Sequence, residues 1–178
     1  MNQILINFVL FQVGWFACVI GGANGYPWMG PIVAAIIVWF HLSRAARPAL
    51  ELKLIVYAVL LGTLWDSLLV VMGWLSYPSG MLLSYMAPYW IVAMWALFST
   101  TLNVSLKWMK GRMLLGALFG AVGGPLAYLA GYRLGGVELT NPTAALVALA
   151  VGWAVMMPVL MYLSERFNGY ELLEPVRT

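Results

Sequence analysis

Asp66 is the residue of this sequence with the most chemistry to offer, because of where it stands. It falls inside the apolar run Leu54–Leu75, about twelve residues from the start of that run. A helix over 54–75 places it near the middle of a bilayer, where a carboxylate costs roughly 2.5–3.5 kcal/mol on insertion scales. A carboxyl removed from water favours its neutral form, which can donate to a backbone carbonyl. Gly62, Thr63 and Gly73 share its helical face, so the small and polar side of the helix points inward. Three uses are open to such a group: the polar anchor of a binding pocket, a proton carrier, or a general acid or base. The competing use is a buried hydrogen bond that locks two helices together.

At ~1.5 Å per residue, Asp66 lies about 18 Å along its span. Trp15, Trp90, Pro125, Tyr128 and Trp153 fall close to that level in their own apolar runs, and Gln12 slightly below it. Trp and Tyr usually gather at the membrane interfaces, so tryptophans at this depth either fill a core or line a cavity for a flat apolar ligand. Pro125 follows Gly123-Gly124, and Pro88 and Pro158 interrupt two other runs. Each removes a backbone hydrogen bond and frees a carbonyl that must be satisfied or line a cavity. Arg133 stands just beyond Tyr128, able to reach in toward Asp66 or to snorkel to the headgroups. The candidate ligand-binding set is therefore Asp66, Trp15, Trp90, Pro125, Tyr128, Gln12 and Arg133.

Other chemistries find little support. His41 is the only histidine and Cys18 the only cysteine, so neither a zinc site nor bis-histidine haem ligation nor an internal disulfide is expected, and no cofactor motif is visible. No Ser/His/Asp set and no second acid within an apolar run accompanies Asp66, so a catalytic dyad is lacking and the sequence leans away from an enzyme. Trp95, Ser99 and Asn103 share one helical face, which reads as ordinary hydroxyl bonding to the preceding turn or to a neighbouring helix.

Elements that position these residues follow from composition. Hydrophobic residues are 63% of the 178 and charged ones only 8%, against about a quarter charged in an ordinary globular domain. Mean hydropathy is +0.91. Fifteen charged side chains cannot solvate a 19.6 kDa soluble surface, and the scattered net charge of +3 does not suit nucleic acid. The expected fold class is all-α, a polytopic membrane protein with a six-transmembrane-helix bundle in a single domain. Its spans fall at about 4–22, 28–42, 54–75, 81–106, 113–132 and 143–163, with a tail over 164–178. The first run lacks a charged leader before it, so it reads as a retained span rather than a signal peptide. In this threading Arg44, Arg47, Lys53, Lys107, Lys110, Arg112, Arg166 and Arg177 share one side, and only Arg133 falls on the other. The positive-inside bias then puts both termini in the cytoplasm. No inverted repeat is visible between the halves.

Helix packing in lipid relies on small residues. Gly116, Gly120 and Gly124 form one row, Gly123, Ala127 and Gly131 a second beside it, and Gly14, Cys18 and Gly22 a third. These rows suit packing within the chain; the same glycines would also permit a homodimer.

The runs Gln12-Val13-Gly14-Trp15-Phe16-Ala17-Cys18-Val19, Trp28-Met29-Gly30, Leu64-Trp65-Asp66-Ser67-Leu68, Ala87-Pro88-Tyr89-Trp90 and Gly123–Gly131 together resemble a family of small bacterial inner-membrane proteins defined only as a domain of unknown function. The resemblance covers nearly the whole chain. It implies a compact helical bundle in the bacterial inner membrane, working near lipid-modifying enzymes similar to cyclopropane-fatty-acid synthases. Abundance of tryptophan alone gives a vaguer likeness to the five-span tryptophan-rich sensory proteins. The leading expectation is a membrane protein that binds a lipid-like or apolar small molecule at a midplane pocket, or serves a membrane enzyme partner in lipid modification. The alternatives are a proton-coupled transporter using Asp66, a membrane-embedded lipid enzyme, and a purely structural subunit.

Overall fold

The computed structural model describes residues 3–171; residues 172–178 of the expected tail, Arg177 among them, lie outside the described residues. Six α-helices follow one another: α1 (Gln3–Ala23), α2 (Met29–Arg44), α3 (Pro48–Val71), α4 (Tyr89–Leu102), α5 (Met113–Arg133) and α6 (Pro142–Arg166). A short 3-10 turn covers Lys107–Met109, and two-residue strands β1 (Leu75–Ser76) and β2 (Glu138–Leu139) pair antiparallel. α1, α3, α5 and α6 are long and apolar enough to cross a membrane, whereas α2 and α4 are shorter apolar helices. Large aliphatic side chains cover the outside, with Leu64, Leu114 and Val151 all more than 60% exposed. Such a surface suits lipid and would aggregate in water. The protein is thus a multi-pass membrane protein of helical architecture.

Connections divide between two ends. The strand end holds residues 24–28, 72–88 and 134–141, and the opposite, basic end holds 45–47, 103–112 and 167–171. α1, α3 and α5 each stop at the strand end with a positive-φ glycine, Gly25, Gly73 and Gly135. Each is followed by a six-to-one backbone bond: Tyr26 N to Gly21 O, Trp74 N to Leu69 O, and Gly136 N to Gly131 O. This closure satisfies the last carbonyls and needs a residue that tolerates the left-handed region. α6 begins the opposite way, with Pro142 in its first turn and the Asn141 side chain accepting from Ala144 N.

Two expected spans change their bounds. The third helix starts six residues before position 54, at Pro48, and ends at Val71 because Gly73 closes it. Asp66 is therefore five residues from the helix end, in the strand-end third of α3 rather than at its middle. The fourth helix begins at Tyr89, not at 81, with Pro88 extended ahead of it, and ends at Leu102, not at 106. Proline has no N–H to give, so it sits comfortably ahead of a first turn. Residues 77–88 instead fold over the strand end. Tyr89 N bonds Gly80 O, the Ser79 hydroxyl donates to Gly22 O, and Ala87 N donates to the Ser67 hydroxyl.

α4 is the central helix, packed on α1, α2, α3 and α6, while α5 packs chiefly on α6. The close approaches are glycines facing tryptophans. A Cβ at Gly62 would lie 1.9 Å from the Trp95 indole, one at Gly152 2.1 Å from Trp65, one at Gly124 2.3 Å from Trp153, and one at Gly22 2.7 Å from Trp90. Gly120 meets the Trp153 backbone, and Gly14 meets Leu97 and Ile37. Gly116 is looser, with its nearest neighbours at 3.9–4.0 Å. Gly62→Ala should lower the thermal unfolding midpoint in detergent, at a cost of about 1–3 kcal/mol for overpacking. Gly116→Ala should leave the midpoint unchanged or raise it.

Candidate functional site

Asp66 has no exposed surface. The Trp95 indole N–H donates to its Oδ2 at 2.7 Å, and the Tyr128 hydroxyl donates to its Oδ1. Three helices therefore meet at one carboxyl: α3 supplies the acid, α4 the indole and α5 the phenol. Gly62 lies one turn before Asp66 on the same face, and the Trp95 ring lies across it. That slot aims the indole N–H at the acid.

Beside this network is a cavity of about 480 Å³ bounded by α1, α4 and α5, with Asp66 of α3 and Trp153 of α6 also on its border. Its walls are aromatic. Trp95 and Trp153 stack with centroids 5.0 Å apart, Phe98 meets both edge-on, and Phe11 meets Phe98 at 6.1 Å. Gln12 and Trp15 line the α1 side, and Gly120, Gly123 and Gly124 the α5 side. Phe16, Phe119 and Leu126 line the cavity and are also exposed on the bundle surface, so it opens sideways between α1 and α5. A second recess of about 40 Å³ adjoins it toward the strand end and shares Trp15, Ile91, Met94, Ala127 and Tyr128.

Of the residues expected from the sequence, Asp66, Gln12, Trp15 and Tyr128 come together on this cavity. Trp90 does not line it. It is 1% exposed, donates to Ser79 O at 3.1 Å, packs edge-on to Tyr77 and borders only the smaller recess. Pro125 lies within α5 beside the cavity without lining it. Arg133 is exposed at the end of α5 and joins no ion pair among the described residues. Gly116, Gly120 and Gly124 are buried on the α5 face toward α6, and Gly14 is buried on α1.

A second buried acid went unread in the sequence. Glu51 is fully buried near the start of α3 and accepts from Asn103 Nδ2 and Gly169 N, each at 2.7 Å. The His41 Nε2–H donates to its other oxygen at 2.8 Å. The Tyr170 hydroxyl donates to the His41 carbonyl at 2.8 Å. Burial, and then the Glu51 charge, push the Tyr170 phenol up to about 12, so it stays a donor. Arg47 ties down the same segment through Asn168 O and Glu171 O. This cluster fastens residues 167–171 across the basic end. The face of Trp95, Ser99 and Asn103 was the available signal: its first member serves Asp66 and its last serves Glu51.

The Asp66 network should show as thermodynamic coupling. Trp95→Phe alone should destabilise by about 1–3 kcal/mol, the usual cost of removing a partner from a buried polar group. In an Asp66→Leu background the same change should cost clearly less, as read by a double-mutant cycle on unfolding in detergent.

A family described as "Protein of unknown function (DUF2878)" matches residues 4–159. No curated protein and no solved structure matches the chain. The matched stretch holds all of the cavity wall and both buried acids, and stops short of the segment that Glu51 fastens. With nearly its whole length inside that match, this chain belongs to the DUF2878 family of proteins of unknown function.

Proposed function

We propose that this chain binds a lipid-like or otherwise apolar small molecule in the cavity between α1, α4 and α5, with the Asp66 network as its polar anchor. The observation that carries the reading is the cavity itself. At about 480 Å³ it lies within the size range of small-molecule sites, about 300–1,000 Å³. Its lining is mostly aromatic and aliphatic, with one cluster of polar groups, as such sites usually are. Its sideways opening gives an apolar molecule a path from the bilayer without crossing the headgroups. The function in the cell is storage or delivery of that molecule, or service to a membrane enzyme that modifies lipid. Residue-level support comes from Asp66, Gln12, Trp15 and Tyr128; Trp90 and Pro125 act as scaffold.

The membrane arrangement we infer is six spans in a bacterial inner membrane with both termini cytoplasmic. α2 and α4 are short, but both are apolar, and α4 is lengthened by the 77–88 segment folded over its start. The bias of basic residues supports the orientation: Arg44, Arg47, Lys53, Lys107, Lys110, Arg112 and Arg166 all belong to the basic end. Reporter fusions after Gly135 and after Thr178 should report the periplasm and the cytoplasm respectively. A cytoplasmic signal at Gly135 would overturn this threading.

Native mass spectrometry of gently purified protein tests the binding reading. The wild type should carry a stoichiometric apolar molecule that Asp66→Asn or Tyr128→Phe loses. A second reading, a proton-coupled transporter, draws on the complete burial of Asp66 at the cavity wall. An empty wild-type protein whose proton-coupled flux vanishes in Asp66→Asn would favour it instead.

A further inference from the structure

We propose that the molecule held in this cavity is a lipophilic cation, a protonated or quaternary amine on an apolar body. The inference rests on the cavity being a binding site and adds the charge class of its occupant.

Three observations point the same way. First, the cavity holds one acid and no base: no Lys, Arg or His lines it, and Arg133 is exposed elsewhere. A buried carboxyl needs a compensating charge or several strong donors, and Asp66 has two donors and no cation among the described residues. Second, aromatic rings line the cavity: Phe11, Trp15, Phe98 and Tyr128, beside the stacked pair of Trp95 and Trp153. Ring faces carry negative potential, and surrounding them on a cation is the usual way proteins hold quaternary ammonium groups. Third, Asp66 works through one of those rings, Tyr128. It has no exposed surface, lying behind Trp95 and Tyr128, which donate to it. A carboxylate accepting from the phenol O–H pushes electron density into the Tyr128 ring and strengthens its attraction for a cation, while Trp95, seated on Gly62 and stacked on Trp153, holds the acid in place. Asp66 is thus a positioning and polarising residue rather than a direct salt-bridge partner. A zwitterionic phospholipid does not fit the same place, because its phosphate would enter a site with no basic residue to meet it.

The test uses two probes of one shape and opposite charge, tetraphenylphosphonium and tetraphenylborate, with the full chain in nanodiscs and equilibrium dialysis as the readout. The phosphonium should bind one to one and the borate at least tenfold more weakly. Asp66→Asn should weaken the phosphonium at least tenfold. Because Asp66→Asn could fail to fold, Gln12→Lys is measured beside it. Gln12 lines the cavity without joining the Asp66 network, and its lysine variant should lose the phosphonium while keeping or gaining the borate. Gly123→Leu, at a position on the cavity wall where a Cβ would meet only the Phe119 ring at 3.8 Å, should block both probes by filling the cavity. Equal binding of the two probes, or displacement of the phosphonium by phosphatidylethanolamine, would overturn the charge assignment. If the wild type binds neither probe but carries a neutral apolar molecule, the cation inference fails while the cavity reading stands. If it carries nothing and binds neither probe, both fail.

Discussion

A single carboxyl with no exposed surface constrains most of this bundle. Asp66 can remain in an apolar setting only if donors reach it, and the two that do come from different helices. Satisfying it therefore fixes the rotation of α4 and α5 relative to α3. The cavity is a by-product of the same arrangement. α5 is drawn to α3 at Tyr128 and packed along α6, while α1 stays with α2 and α4. What is left between α1 and α5 is the aromatic-walled space.

The second device is the pairing of glycine with tryptophan. In lipid no hydrophobic force drives helices together, so close packing must come from shape. A glycine removes one side chain and a tryptophan fills the gap with the largest one. Gly62 with Trp95, Gly124 with Trp153, Gly152 with Trp65 and Gly22 with Trp90 repeat this across five helices, and Trp90 also bonds the 77–88 connection. The Gly62 seat has a further effect, since it turns a packing contact into an aimed hydrogen-bond donor. The same ring then stacks on Trp153 and forms part of the cavity wall.

The two ends of α3 repeat one solution. Its buried stripe runs from Glu51 through Ala58 and Gly62 to Asp66. Each acid accepts a side-chain N–H from the α4 segment, Asp66 from Trp95 within the helix and Glu51 from Asn103 at its C-terminal cap. At the basic end the remaining donors come from His41 and the Gly169 backbone, which close around Glu51 and leave only a recess of about 90 Å³ against His41 and Tyr170. At the strand end one side of the network faces a cavity. The difference between a latch and a candidate site is thus what packs beside the acid, not the acid itself.

Composition alone determined that this chain belongs in a membrane, because too few charges exist to cover a soluble surface. Hydropathy placed α1, α5 and α6 to within a few residues, and depth counting brought Asp66, Trp15, Gln12 and Tyr128 to one level. Depth is a single coordinate, so it could not separate Trp90, which turns to Ser79 and Tyr77, from residues that line the cavity. Hydropathy was equally blind to backbone geometry: residues 81–88 are apolar enough for a helix, but Pro88 and the bonds of Gly80 and Ser79 fold them across the bundle end. Only the tertiary structure decided that Trp95 is the partner of Asp66 and Asn103 that of Glu51. Those bonds join positions 29 and 52 residues apart, and the rotation of each helix about its axis, which creates them, is set by packing against all its neighbours at once.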